Sequence, residues 1–343
     1  MKKIVLVGGG SGGHILPSIA ILPELKKYFD KVYYIGENNS LEEKIAKKYN
    51  LEFYPTLAIK LKRGKIIENL KIPFVLPKAI MQAKKLLKEL KPDVIFCKGG
   101  YVSLPTTLAG QMLKIPIVVH ESDRSLGLTN KICSIRANYV ITPIKLKDSD
   151  KYIELQNPIR EEILHGNKEI IYKTFNLRKN YKNILILGGS LGASSINKVI
   201  FENIENLTKK YNILHITGKG KEIEKQDIEG YYPIPYADNI GDFYDVSDLV
   251  ISRAGAGVVQ ELMALGKRAI LIPLPKDCSR GDQIMNAEKS PYKIINQENL
   301  TGDILLNNIE NIIDTTPPNK SYDILTTKKI VDIINNSIRE NKK

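Results

Sequence analysis

Two short segments about 180 residues apart constrain this chain more than anything else in it. Residues 3–7 (KIVLV) form an apolar run closed by Gly8-Gly9-Gly10-Ser11-Gly12-Gly13, and residues 183–187 (NILIL) form another, closed by Gly188-Gly189-Ser190-Leu191-Gly192-Ala193. A continuous apolar run that ends in glycines reads as a strand buried on both faces. Apolar residues at helical spacing follow each loop: Ile15, Ile19, Leu22, Leu25 and Phe29 over 14–29, then Ile196, Val199 and Ile200. A strand, glycine loop and helix that occur twice point to two nucleotide-fold domains in tandem. The length of 343 residues, at about 150 residues per domain, allows the same number.

The remaining pattern extends each unit. Residues 32–35, 93–97 and 117–119 read as strands of the first domain, with helices over 81–90 and 106–113. In the second, 213–216, 232–234, 249–251 and 269–272 read as strands and 258–265 as a helix. Strands alternating with helices imply parallel sheets with right-handed crossovers, an α/β fold. The join falls within 142–181, a polar stretch punctuated by Pro143 and Pro158. The expected division is 1–155 and 156–321, with a tail helix over about 322–343, marked by Ile330, Ile333, Ile334 and Ile338, that could pack back on the first domain.

Composition narrows the class. With 43% hydrophobic and 26% charged residues the chain is neither disordered nor collagen-like. The N-terminal apolar run reaches glycine too soon for a signal peptide, and no stretch approaches the ~20 apolar residues of a membrane span, so a soluble protein is expected. Three scattered cysteines, Cys97, Cys133 and Cys278, fit neither a disulfide framework nor a metal cluster, and each is read as a small buried apolar residue in a reducing cytoplasm. The 51 Lys and Arg against 38 Asp and Glu leave +13, which asks for an anionic partner. Nucleic acid is not that partner on this reading: the chain has no zinc spacing, no binding motif, no aromatic stacking platform and no tryptophan.

The first glycine loop contains G-x-G-x-x-G, so a dinucleotide-dependent oxidoreductase must be weighed, with Glu37 as the acid after the second strand. Two features pull elsewhere. His14 directly follows the last glycine, and a second phosphate-type loop suits a transferase holding an anionic donor and another substrate. Glycines let backbone N–H groups approach a ligand, and a following helix start favours anions. Residues 253–261 (RAGAGVVQE) repeat the device, and the carboxylate of Glu261 could accept hydrogen bonds from both hydroxyls of a ribose; it could equally be an exposed helix residue or pair with Arg253. Asp148-Ser149-Asp150 matches a metal-binding Asp-x-Asp, but in a polar linker with no nearby strand it is read as coincidence.

With these segments placed, the chain resembles the MurG family of N-acetylglucosaminyltransferases over nearly its whole length. The carriers are residues 9–17 (GGSGGHILP), 98–103 (KGGYVS), 120–123 (HESD), 127–131 (GLTNK), 157–160 (NPIR), 187–193 (LGGSLGA), 253–261, and Asp282-Gln283 with Asn286-Ala287. The resemblance implies the two-domain glycosyltransferase B architecture, two Rossmann-like domains facing across a cleft. It implies inverting transfer of N-acetylglucosamine from UDP-N-acetylglucosamine to the 4-hydroxyl of the muramoyl sugar on a polyprenyl-diphosphate pentapeptide, without a cofactor; backbone amides, helix ends and Arg160 can replace an ion at the diphosphate, so no tightly bound metal is expected. A related transferase acting on another lipid acceptor is the alternative.

Residue by residue, the resemblance places Ser11, Gly12, Gly13, Arg160, Ser190, Ala237, Ala256, Gly257, Glu261 and Gln283 at the donor and makes His14 the candidate base. A helix start beside His14 would help keep its ring neutral. Asp123 stands where many members carry an asparagine that contacts the donor, so a carboxylate there is a doubtful ligand. Gly257-Val258 replaces a Leu-Thr pair, and 276–281 is about two residues longer than in some members. The resemblance also implies a peripheral protein on the cytoplasmic face of the bacterial membrane. Residues 60–91 suit that address: ten Lys or Arg against two Glu, interleaved with Ile66, Ile67, Ile72, Phe74, Val75, Leu76, Ile80 and Met81, give an apolar patch with a basic rim for anionic lipid.

Overall fold

A computed structural model describes residues 1–61, 66–189, 192–221 and 228–341; the side chains of Ile66 and Ile67 are outside that description, as are Ser190 and four residues of the basic segment, Lys62 to Lys65. The chain divides into two units, Met1–Arg160 with Asp323–Lys343, and Glu161–Tyr322.

The first unit is a parallel sheet of seven strands: β1 (Lys3–Gly8), β2 (Lys31–Gly36), β3 (Glu52–Pro55), β4 (Val94–Gly99), β5 (Ile117–His120), β6 (Tyr139–Thr142) and β7 (Tyr152–Glu154). Their order is β3-β2-β1-β4-β5-β6-β7. Aliphatic runs such as Ile4 to Val7 and Val94 to Cys97 are fully buried because helices cover both faces. The strand order reverses between β1 and β4, and in such sheets the crevice at the carboxyl ends of those strands is where ligands bind. The pairing of β1 with β4 slips there: Val7 is opposite Cys97, but Gly8 is opposite Gly99. Lys98 is the extra residue of this bulge.

The second unit repeats the plan with β8 (Lys182–Leu187), β9 (Tyr211–Ile216), β10 (Tyr231–Ile234), β11 (Leu249–Ser252), β12 (Ala269–Leu271) and β13 (Lys293–Ile294), in the order β10-β9-β8-β11-β12-β13. The reversal lies between β8 and β11. The second glycine loop and residues 253–261 therefore start from one crevice.

Several expectations change. The single helix over 14–29 is a 3-10 turn (Gly12–His14) and two short helices, Leu16–Ala20 and Leu22–Leu25. Pro17 and Pro23 sit in the first turns of those helices, where a missing N–H costs nothing, and each restarts the chain instead of continuing a helix. The helix expected over 81–90 begins much earlier, as Ile72–Leu90. Asp148-Ser149-Asp150 does have strands beside it, since it lies in the turn between β6 and β7; Asp148 is 99% exposed and takes Lys145 Nζ at 2.7 Å. Cys97 and Cys133 are buried, but Cys278 is exposed, because it sits in a surface 3-10 turn (Lys276–Cys278).

The tail helix spans Thr326–Glu340 and inserts Ile330, Val331, Ile334 and Ile338 into the core of the first unit, against Leu6, Phe96 and Val118. Burying each such side chain is worth roughly 1.5–3 kcal/mol. Among the described residues no helix is long and apolar enough to cross a membrane.

Candidate functional site

At the β1/β4 crevice the chain leaves Gly8 and turns through Ser11 into Gly12–His14. Ser11 caps that turn in extended conformation, and its Oγ lies 3.2 Å from His14 Nδ1. If Nδ1–H donates to the serine, the basic lone pair of the ring is on Nε2. Gly12 is buried and Gly13 exposed. The helix that follows His14 has five residues and starts at Leu16, so its field is much smaller than the long helix expected from the sequence would supply.

The loop is closely packed from behind. A Cβ on Gly8 would come 2.3 Å from the carbonyl oxygen of His14, and one on Gly9 would come 2.5 Å from Glu42 Oε1. The buried Glu42 accepts N–H groups from Glu37 at 3.2 Å and Gly10 at 3.5 Å. Tyr101, at the end of β4, packs its ring under Gly10 and donates to Glu37 Oε2 at 2.7 Å. Burial and the Glu37 carboxylate push the Tyr101 hydroxyl up, so it acts as a donor throughout the neutral range. The acid considered for a ribose is thus engaged by Tyr101. Glu42 and Tyr101 carry no signal of this role in the sequence, since each reaches the loop from a separate element.

Asp123 lies half-buried in the loop after β5, and its N–H donates to Glu121 Oε1 at 3.3 Å. Arg160, also half-buried, closes the first unit's main segment.

In the second unit, Gly188 and Gly192 make approaches that only glycine permits: a Cβ on Gly188 would meet Ala193 N at 2.1 Å, and one on Gly192 would meet the carbonyl of Thr217 at 2.1 Å. The expected ligand Ser190 lies between them, outside the described residues. Behind the loop, Asn197 Nδ2 donates to Thr217 O at 2.9 Å and Asn197 Oδ1 faces His215 Nε2 at 3.1 Å, while His215 Nδ1 faces the Tyr231 hydroxyl at 3.0 Å. Because Asn197 Oδ1 can only accept, Nε2 carries the proton and Nδ1 accepts from Tyr231. Burial holds His215 down at about 4.

The helix Ala256–Leu265 starts from Gly255 in extended conformation, with Ala256 half-buried and Gly257 exposed in its first turn. A Cβ added to Gly255 or Gly257 would meet nothing within 4 Å, so the helix start is open. Glu261 lies one turn further in, and Tyr244 Oη donates to its Oε2 at 2.9 Å. The pairing with Arg253 weighed from the sequence is not what the structure forms. Arg253 is buried and donates to Ile272 O at 3.0 Å, Ser195 Oγ at 2.7 Å and Gln297 Oε1 at 2.5 Å, tying the second glycine loop's helix to its neighbours. Gln283, in the helix Asp282–Glu288, accepts the Leu274 N–H on Oε1 at 3.0 Å, which fixes the side of the amide that faces the chain after β12. Ala237 lies half-buried in the turn after β10, beside Tyr236, whose ring carries Lys219 Nζ at 4.8 Å.

Comparison with known proteins accounts for both units. Residues 4–142 match the glycosyltransferase family 28 N-terminal domain, and residues 183–336 match the family 28 C-terminal domain. A Clostridium botulinum protein named UDP-N-acetylglucosamine--N-acetylmuramyl-(pentapeptide) pyrophosphoryl-undecaprenol N-acetylglucosamine transferase is 42% identical over 307 residues, 87% of each chain. The Clostridium perfringens protein of the same name is 41% identical over 322 residues, 90% of each chain. Among solved structures, Acinetobacter baumannii MurG shares the fold with a TM-score of 0.73 at 24% identity, over 98% of this chain and 100% of that one. The UDP-GlcNAc 2-epimerase of Neisseria meningitidis shares it with a TM-score of 0.69 at 17% identity, over 97% of this chain and 100% of that one.

Proposed function

The chain belongs to the MurG family of glycosyltransferases, and on that premise we propose that it moves N-acetylglucosamine from UDP-N-acetylglucosamine to the 4-hydroxyl of the muramoyl sugar on a polyprenyl-diphosphate pentapeptide, the step from lipid I to lipid II. The observation that carries the residue assignments is the chemistry gathered at the two strand reversals. One bears a hydroxyl and imidazole pair, Ser11 and His14, and the other an open helix start with an acid one turn inside.

In the second unit, the N–H groups of the helix start at Ala256 and Gly257, together with the glycine loop around Ser190, hold the diphosphate; Arg160, the last residue of the first unit's main segment, adds positive charge. Glu261 takes the ribose hydroxyls, the backbone at Ala237 meets the uracil, and Gln283 contacts the sugar hydroxyls. Ser11, Gly12 and Gly13 supply donor contacts from the first unit. His14 accepts the proton of the acceptor hydroxyl as its oxygen attacks the anomeric carbon; the bond to the diphosphate breaks on the opposite face and UDP departs with the electron pair. Configuration inverts in this single displacement, and the departing charge is met by fixed donors. Asp123 is left out of the donor contacts, since its carboxylate would repel the diphosphate.

The acceptor's lipid calls for a membrane surface, and the helix Ile72–Leu90 supports one. It buries Ala79, Ala83, Leu87 and Leu90 while exposing Phe74 and Met81 at 74% and 72%, with Lys78 and Lys85 on the same turns. This fits peripheral binding to the anionic cytoplasmic leaflet. The testing experiment is UDP release with the lipid-linked muramoyl acceptor beside other lipid-linked sugars. Turnover confined to the muramoyl acceptor is expected; turnover on a different lipid alone would reassign the substrate, and none on any would make the chain a silent binder.

A further inference from the structure

Glu121 has no part in the assignments above, yet it joins the elements around His14. It follows β5, is 3% exposed, and spends both oxygens on local donors. Oε1 accepts the N–H groups of Ser122 at 3.0 Å and Asp123 at 3.3 Å; Oε2 accepts Gly127 N–H at 3.0 Å and Asn130 Nδ2 at 3.0 Å. Burial alone would raise its pKa, but the Lys98 charge and the bonds from Gly127, Asn130 and Asp123 outweigh that and hold the carboxyl below its usual range. Lys98, the extra residue of the β4 bulge, is fully buried, and its Nζ has no hydrogen-bond partner among the described residues. Loss of hydration lowers its pKa, and the fields of Glu121 and Asp123 oppose the fall. A bulge beside a site re-aims a side chain, and here it turns a lysine into the interior, within electrostatic reach of a buried acid.

From Glu121 the contacts run to the imidazole. Asn130 is buried, and its amide lies against Gly99, whose φ is +96: a Cβ there would sit 2.7 Å from Nδ2. The next residue, Gly100, has φ +77, and a Cβ on it would meet Gly9 O at 2.1 Å and His14 Nδ1 at 3.0 Å. The His14 ring is therefore seated on a two-glycine turn, and that turn is backed by the amide that Glu121 holds. Gly9 N–H donates to Gly99 O at 3.3 Å, and Ser103 Oγ to Gly100 O at 2.9 Å, closing the same turn.

We propose that Glu121 is a positioning residue for His14, acting through Asn130 and the Gly99-Gly100 turn, with Lys98 as its buried counter-charge. The inference rests on the reading of His14 as the base. In Glu121→Gln an N–H₂ replaces one oxygen and faces two donors, so the turn shifts while the fold's other contacts stay.

The test is a double-mutant cycle on the full chain, with UDP-N-acetylglucosamine and the lipid-linked acceptor. Glu121→Gln should lower kcat by about 10- to 100-fold, the cost of a misplaced group, with the donor KM unchanged within about twofold. In a His14→Ala background the same change should cost less than about twofold, since the residue it positions is gone. Ile330→Val, a core change in the same unit, controls for stability and should keep wild-type kcat at an equal melting shift. If Glu121→Gln does not fold, Asn130→Ser carries the same expectation. An unchanged kcat, a change in KM alone, or an equal loss with and without His14 would overturn the positioning role. Wild-type turnover in His14→Ala alone would instead remove the base, a separate failure.

Discussion

Tyr244 Oη donates to Glu261 Oε2 across 2.9 Å, from the helix Ile240–Val246 to the helix Ala256–Leu265. The tyrosine is fully buried, so it sets where the carboxylate points. Tyr244→Phe keeps the packing and removes the donor; UDP affinity should fall about tenfold, the equivalent of ~1.4 kcal/mol, with kcat little changed. Glu261→Ala should cost more. Calorimetric titration with UDP checks both, and unaltered binding in the pair would take Glu261 out of the ribose site.

Gly100 and Gly257 should respond oppositely to alanine. At Gly100 a Cβ meets backbone at 2.1 Å in a left-handed conformation, so Gly100→Ala should lose about 1–3 kcal/mol of stability and most of its turnover as His14 is displaced. At Gly257 the space is open and helical, so Gly257→Ala should melt at or above the wild-type temperature, by up to about 1 kcal/mol. Its UDP affinity should nevertheless fall, because the methyl takes space the phosphates need. Thermal melts and UDP titration together decide; a stable Gly257→Ala with full affinity would place the diphosphate elsewhere.

Membrane binding should depend on the exposed side of the helix Ile72–Leu90. The pair Phe74→Ser and Met81→Ser should release the protein from anionic vesicles in a flotation assay, and Lys78→Glu should weaken it by about 1 kcal/mol. Wild-type protein that bound neutral and anionic vesicles equally would defeat the electrostatic part of the reading.

His215 predicts an acid-sensitive second unit. Its folded pKa, about 4, is below the ~6.5 of an unfolded histidine, so between those values the unfolded state binds more protons. Stability is therefore complete above about pH 6.5 and declines as pH falls toward 4, by about 3 kcal/mol in all. Urea midpoints at pH 7.5 and 4.5 should separate further in the wild type than in His215→Gln; equal separations would mean the histidine does not titrate on unfolding.

Chelation should leave the reaction running. Fixed N–H donors at the helix start and the second glycine loop, with Arg160, meet the diphosphate charge on this reading. Activity abolished by EDTA and restored by magnesium would show that a cation does that work instead.

The aliphatic strands were legible because a parallel strand buried on both faces must be a continuous apolar run, and residues 3–7 and 183–187 are nothing else. The far end of the first sheet was not: the edge strand β7 carries Tyr152 half-buried and Glu154 exposed, β6 beside it opens on the half-buried Tyr139, and the half-polar pattern resembles a linker. The helix expected over 14–29 breaks into pieces because apolar spacing reports which side chains are buried, whereas Pro17 and Pro23 decide whether the backbone bonds that join successive turns can form.

The same division holds at the site. His14, Ser11 and Glu261 stand next to glycine loops in the chain, so local order alone brought them forward. Glu42, Tyr101, Glu121 and Tyr244 act across separations of roughly ten to sixty residues in sequence, and a carboxylate that caps a remote loop looks like any other until the strands are ordered. By itself the sequence determined two parallel-sheet units, where their glycine loops lie, and which family's chemistry they carry, because burial period and glycine geometry are local properties. Only the tertiary structure decided which acids are spent holding loops and which remain for a ligand, since a hydrogen bond goes to whichever donor the folded backbone brings within about 3 Å.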